Sequence, residues 1–266
     1  MAKLSPDQQE QYWRDGYVVV SDLFSDAELD RWHARVRGLA RGEVPPPENM
    51  VLVKDVEVAK GAKELADPEH VICKINFFEH DPVLMEYGRH EGLIDAVSSL
   101  LGDDVTFVNS MCITKPPEVD ARHPLHQDLL YFGFRPADAM LGTWTALEDA
   151  TRENGCLAVL PGSHKGELLD HEMPDWDFVN AGFLGAKGFD ASNRVHLPMK
   201  RGETLLFHSL LIHGSGTNRT DGFRRIVSTH YAQTGCKDLW KGSDAIAQRP
   251  WIPVRGKGTE AGQISE

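Results

Sequence analysis

The chain has no run of apolar residues near the roughly 20 that a membrane-crossing helix requires. Its amino terminus, MAKLSPDQQEQYWRDG, has neither an apolar leader core nor the basic, acid-poor character of a transit peptide. The last residues, GQISE, match no carboxy-terminal targeting or lipidation signal. Cysteine is scarce and scattered: Cys73, Cys112, Cys156 and Cys236 form no CxxC pair, which excludes a disulfide framework and a structural zinc knot. Positive charge is also short, with 28 Lys and Arg against 40 Asp and Glu, for a net charge of −12. A field of that sign repels phosphate backbones and disfavours nucleic acid. The expectation is a cytoplasmic chain with no membrane or nucleic-acid partner, for which a monomeric state is adequate.

Apolar residues at 41% and charged residues at 26% sit near the globular average, so whole-chain disorder, collagen and coiled coil are excluded. With 266 residues and no internal repeat, residues 1–266 read as a single domain. Residues 1–48 form a helix-strand-helix opening. Ser5-Pro6-Asp7-Gln8 joins a capping serine to a proline at the first helical position, and Gly16 stops that helix. Tyr17-Val18-Val19-Val20 is a short strand, and Ser25-Asp26-Ala27-Glu28 is a second capping box, launching a helix to about Leu39. Glu91 to Leu101 reads as an amphipathic helix stopped by Gly102.

The rest is mostly short strands: Val71–Phe78, Val105–Thr114, Leu141–Leu147, Cys156–Leu160, Thr204–His208, Leu211–Ser215 and Ile226–Gln233. Such a series after a helical opening predicts a mainly β fold, closed or in two sheets, with helices packed outside. Residues 165–194 form a long Gly- and acid-rich insertion, a candidate lid.

Histidine is the conspicuous count, twelve in all. In HPLHQDLLYF, His126 and Asp128 are two apart, which in an extended segment puts both side chains on one face. An imidazole and a carboxylate projecting together are two of the three ligands of the facial triad that holds non-haem Fe(II). The third must arrive from a distant strand, and FHSLLIHGSG supplies His213. Taken singly, an HxD pair is more often a polar loop, and a strand histidine more often a satisfied core residue. His123, His164, His196, His208 and His230 read as such core residues, with His208 the rival to His213. A keto-diacid chelating the metal needs a fixed cation at its far end, and arginine suits because it can grip a carboxylate with two charge-assisted bonds. Arg224 and Arg225 are adjacent, so only one can face inward, and periodicity does not choose between them. A jelly-roll binding protein with structural histidines, or a cupin-like zinc site without oxygen chemistry, is the competing reading from another class.

The runs KPP, RHPLHQDLLYF, WTALE, NGCLAVLPGSHKG, RVHL and LLIHGSGTNRTDGFRR together resemble the phytanoyl-CoA hydroxylase family of Fe(II)- and 2-oxoglutarate-dependent dioxygenases. The likeness spans residues 70–236 and, more loosely, the opening before Arg41. It implies a double-stranded β-helix (jelly-roll) core, with iron held by His126, Asp128 and His213. It places Arg224, eleven positions after the distal histidine, on the 2-oxoglutarate carboxylate together with Ser215. Ser215 also lies two past His213, on the same strand face. Lys74, Met111, Gln127 and Trp144 are implied as further lining for 2-oxoglutarate. Lys74 has a rationale of its own, since a cation inside VICKINFF is costly to bury without an anion. The implied cofactors are Fe(II), 2-oxoglutarate and molecular oxygen, with ascorbate as a supporting reductant. A carboxylate at position 128, which related halogenases replace with a small residue to admit chloride, points to hydroxylation.

The implied substrate is a branched acyl-CoA such as phytanoyl-CoA, hydroxylated at the 2-position, beside the thioester. Against it stand six acids in the candidate lid (Glu167, Asp170, Glu172, Asp175, Asp177, Asp190) and only two bases, Lys165 and Lys187. Such a surface repels a triphosphorylated head unless Arg122, Arg135 and Lys115 meet it. A non-CoA small acid or a secondary metabolite is the other substrate reading.

Overall fold

Ser5 opens helix α1 (Pro6–Asp15): its hydroxyl accepts from the Gln8 amide while Gln8 returns a bond to the Ser5 amide. Gly16, at φ 87°, ends the helix, and strand β1 (Tyr17–Val20) follows. Ser25 repeats the device with Glu28 at the head of α2 (Asp26–Arg41). Each box satisfies amides that a helix's first turn leaves open, a contribution of about 1 kcal/mol. Four further helices, α3 (Val56–Ala59), α4 (Pro68–Val71), α5 (Pro82–Gly88) and α6 (Glu91–Leu101), complete the helical set among the described residues. The computed structural model describes residues 3–239 and 251–256.

Strands β2 (Val51–Lys54), β3 (Ile72–Asn76) and β4 (Val105–Lys115) precede the site. Then come β5 (His123–His126), β6 (Phe134–Arg135), β7 (Met140–Ala146), β8 (Leu157–Val159), β9 (His171–Glu172) and β10 (Gly185–Ala186). The remainder are β11 (Val195–Leu197), β12 (Thr204–His208), β13 (His213–Ser215), β14 (Arg224–Gln233), β15 (Lys237–Asp238) and β16 (Ile252–Arg255). The major sheet runs β1-β12-β7-β14-β4-β3-β2, with β16 also paired to β4, and the minor sheet runs β11-β8-β13-β5. Both are antiparallel, and together they make the double-stranded β-helix core. A small hairpin joins β9 to β10, and β6 pairs antiparallel with the distant β15.

Three apolar clusters hold these layers. Trp32 of α2, Tyr87 of α5 and Val97 of α6 pack on the outer face of the major sheet, against Phe107, Val227 and Tyr231. Trp144, Leu157, Val159, Leu205 and Ile226 fill one end of the space between the sheets, and Val108, Leu129, Phe132 and Met140 the other. Because helices cover one face of β14 and the minor sheet the other, every residue of that strand but the last is buried. A strand covered on both sides shows no polar-apolar alternation. That explains why periodicity could not sort Arg224 from Arg225.

Several boundaries differ from expectation. The strand expected over 71–78 ends at Asn76, because Phe77 turns the chain in a left-handed conformation at φ 74°. Those expected over 156–160 and 211–215 shorten to β8 and β13. The insertion over 165–194 carries the β9–β10 hairpin, so part of it is ordered strand. Among the described residues no helix is long and apolar enough to cross a membrane. Of the chain after Cys236, β15 and β16 are seen, and 240–250 and 257–266 lie outside the described residues.

Trp32 is fully buried, edge-on to Phe24 and Tyr87 at 5.0 and 5.4 Å. Trp32→Ala is expected to cost about 3–5 kcal/mol, read as a drop in urea midpoint, whereas Trp13→Ala on the exposed face of α1 should cost far less.

Candidate metal centre and cosubstrate cavity

Antiparallel pairing of β13 with β5 sets His213 opposite His126. The chain then leaves β5 through a 3-10 turn, Asp128–Tyr131, which aims the Asp128 carboxylate back at the two rings. His126 Nε2 lies 3.1 Å, and His213 Nε2 3.7 Å, from Asp128 Oδ1. The ligand atoms of the three lie within 4.8 Å of one another, and all three residues are buried. Among the described residues this is the group able to hold a metal ion.

The tautomers fit that task. His126 Nδ1 donates to Pro124 O and His213 Nδ1 to Leu211 O, each at 2.9 Å. A carbonyl can only accept, so each Nδ1 carries its hydrogen and each Nε2 is left as the ligand atom. Burial pushes His213 down to about 4, so it is neutral at physiological pH. For Asp128, burial alone would raise the carboxyl. The neighbouring His213 and His230 and the hydrogen bond from His230 outweigh it, holding the group well below the usual carboxylate range. Imidazole nitrogens and an ionised oxygen converging out of water ask for a cation among them. The donor set of two nitrogens and one oxygen, with the rest of the sphere open, suits Fe(II).

A cavity of about 200 Å³ opens beside this cluster, lined among others by Lys74, Met111, Trp144, Ser215 and Arg224. Arg224 is 1% exposed, and its Nε and Nη1 have no hydrogen-bond partner among the described residues. Burial lowers its pKa, with Cys156 and Glu148 offsetting part of the shift, and no ion pair to it forms among the described residues. Its guanidinium stands 5.3 Å over the Trp144 ring, which flattens one wall of the site. Arg225 points the other way, onto Glu69 of α4 and Glu148. A buried guanidinium with two nitrogens unbonded among the described residues is a fitted receptor for a carboxylate. Lys74 also turns inward, 5.9 Å from the Phe183 ring. Burial pushes its ammonium down, and Cys73 and Asp128 offset part of that shift.

Two expectations need correction. Gln127 does not line the cavity. Sitting between His126 and Asp128, it faces the opposite side, where Nε2 donates to Glu167 O (3.1 Å) and Leu210 O (2.9 Å) and Oε1 accepts from Leu169 N (2.8 Å). The same alternation that unites its neighbours turns it away, and it pins the start of the insertion. The second correction concerns His123 and His230, read as core residues. His123 is stacked between His126 (4.1 Å) and Phe183 (3.8 Å), and His230 Nε2 donates to Asp128 Oδ2 at 2.7 Å. Both line the cavity. His230 was findable, since it lies an even number of residues after Arg224 on one strand. His208, the rival ligand, is bonded to Asp138 (3.0 Å) and lies tilted against His164, ring centres 5.1 Å apart, instead.

The family model for phytanoyl-CoA dioxygenase matches residues 12–226. A probable phytanoyl-CoA dioxygenase of Caenorhabditis elegans is 45% identical over 237 residues, covering 86% of this chain and 75% of its own length. The peroxisomal phytanoyl-CoA dioxygenase of Rattus norvegicus is 42% identical, over 88% of this chain and 70% of its own. In fold the chain is similar to EctD from S. alaskensis solved with 2-oxoglutarate and 5-hydroxyectoine: TM-score 0.65, 24% identity, 86% of this chain and 76% of that one. It is likewise similar to the epimerase SnoN in complex with Fe3+, alpha ketoglutarate and nogalamycin RO, at TM-score 0.65 and 21% identity over 94% and 95% of the two chains.

The two arginines should separate cleanly. Arg224→Gln is expected to raise the apparent KM for 2-oxoglutarate at least tenfold, about 1.4 kcal/mol or more, with an unchanged urea midpoint. Arg225→Gln, which strands the buried Glu69 carboxylate on fewer cations, is expected to lose on the order of 3 kcal/mol of stability with little change in that KM.

Proposed function

Since the chain belongs to the phytanoyl-CoA dioxygenase family, whose members are Fe(II)- and 2-oxoglutarate-dependent dioxygenases, we propose that it hydroxylates a branched acyl-CoA at the carbon beside the thioester. One observation carries the reading: a three-ligand cluster and an unpaired buried guanidinium share one cavity. His126, Asp128 and His213 would hold the ferrous ion. Arg224 would take the far carboxylate of 2-oxoglutarate, with the Ser215 hydroxyl beside it and Trp144 and Met111 as walls. Lys74 would add positive charge to the same anionic cosubstrate. The chemistry supplied there is oxidative decarboxylation of 2-oxoglutarate to succinate and carbon dioxide, coupled to insertion of one oxygen atom of O2 into a C–H bond.

The chain's own contribution is orientation and dryness. Phe132, Phe183, Phe207 and Leu157 line the cavity and keep bulk water from the reacting atoms. An alkyl chain with a methyl branch matches such walls. Tyr131 ties the wall in place, its hydroxyl donating to Gly182 O at 2.8 Å. The insertion over 165–194 acts as a lid whose Ala181, Gly182 and Phe183 border the site.

A second substrate class, a small acid without CoA, is favoured by the fate of the expected basic residues. Lys115 is buried and donates to the carbonyls of Ala121 and Gly216, so it cannot meet a phosphate at the surface. Arg135 caps Phe134 O at 2.8 Å, and Arg122 is paired with Asp120 (2.8 Å) and stacked on Trp176 at 4.2 Å. The two classes part in a succinate-release screen that sets branched acyl-CoA esters against the matching free acids. Release driven only by the thioesters supports the acyl-CoA reading, and release driven only by free acids overturns it. Independently, anaerobic addition of Fe(II) and 2-oxoglutarate is expected to raise a visible charge-transfer band in the wild-type chain. Asp128→Ala should show neither band nor succinate formation, and full retention of both would refute the ligand assignment.

A further inference from the structure

We propose that His230 and Asn109 form a positioning pair that keeps the Asp128 carboxylate on the metal through one oxygen only. The inference rests on the metal reading above and goes beyond it. Asp128 Oδ1 is the oxygen that faces His126 and His213. Oδ2 is engaged separately, 2.7 Å from His230 Nε2. A carboxylate can only accept, so Nε2 carries the hydrogen, and Nδ1 of a neutral ring is then an acceptor. Asn109 Nδ2 meets Nδ1 at 3.4 Å. His230 and Asn109 are register partners on β14 and β4, so backbone pairing sets their approach. Both are buried, and Phe132 flanks the imidazole at 4.9 Å.

The coordination arithmetic explains why Oδ2 should be restrained. His126, Asp128 and His213 would leave an octahedral ion three positions, which a chelating keto-acid and oxygen would need. A carboxylate that closed on the metal with both oxygens would consume a position that chemistry needs. The charge-assisted bond from His230 holds Oδ2 aside. Asn109 fixes the tautomer that makes the bond possible.

The test compares His230→Phe, His230→Gln, Asn109→Leu and the double variant His230→Phe/Asn109→Leu, each first shown to keep the wild-type circular dichroism spectrum. The probes are Fe(II), then 2-oxoglutarate, added anaerobically, with the charge-transfer band as readout. His230→Phe keeps the ring packing but loses the donor, and 2-oxoglutarate affinity of the iron-loaded protein should fall on the order of 10- to 100-fold. His230→Gln, which restores an N–H donor, should recover most of the loss. The double variant should be no worse than His230→Phe alone, because Asn109 acts through the histidine. Wild-type affinity in His230→Phe, no recovery in His230→Gln, or additive losses in the double variant would overturn the pair. Absence of the band in the wild-type chain would overturn the metal reading itself, and the pair with it.

Discussion

The pairing of β13 with β5 is the constraint on which the site depends. It sets two imidazoles from remote parts of the chain face to face, with backbone geometry rather than side-chain flexibility fixing their approach. The carbonyls of Pro124 and Leu211, each two residues before its histidine, then lock both rings in the same tautomer. The carboxylate needs only a tight turn after β5 to join them. The approach of the two imidazoles is therefore set by the pairing of the two strands.

Much of this was legible in the residues. The two capping boxes, the glycine stops and the helix from Glu91 to Leu101 are written in local chemistry and fold as written. Spacing put His126 and Asp128 on one face. What spacing could not supply was partnership over distance. Arg224 and Arg225 lie in a strand buried on both sides, so their separation required knowing that Glu69 and Glu148 await one face and a cavity the other. His230 was misread because it resembles any histidine in an apolar strand; only its parity with Arg224 marked it. Gln127 was misplaced by a resemblance that overrode the alternation its own neighbours obey.

The insertion is bound to the metal-ligand segment more intimately than a flap over a hole. Gln127 holds its beginning through two side-chain hydrogen bonds, to Glu167 O and Leu169 N, Tyr131 holds Gly182, and Phe183 stacks on His123, which stacks on His126. Movement of this segment would be felt by the ligands directly, since the same short stretch of chain carries both sets of contacts. The insertion and the His126–Asp128 segment thus share one contiguous set of packing and hydrogen-bond contacts.

Strand β14 acts as a partition, its even-numbered guanidinium serving the chamber and its odd-numbered one clamping the helical shell. Since side chains change sides with every step along a strand, the loss or gain of one residue just before it would exchange these assignments wholesale. The clamped cation would be delivered to the chamber, the free one to the shell, and Ser228 and His230 would be evicted together. A lesion of that kind would look like simple misfolding, yet its root would be a reading-frame error written in three dimensions.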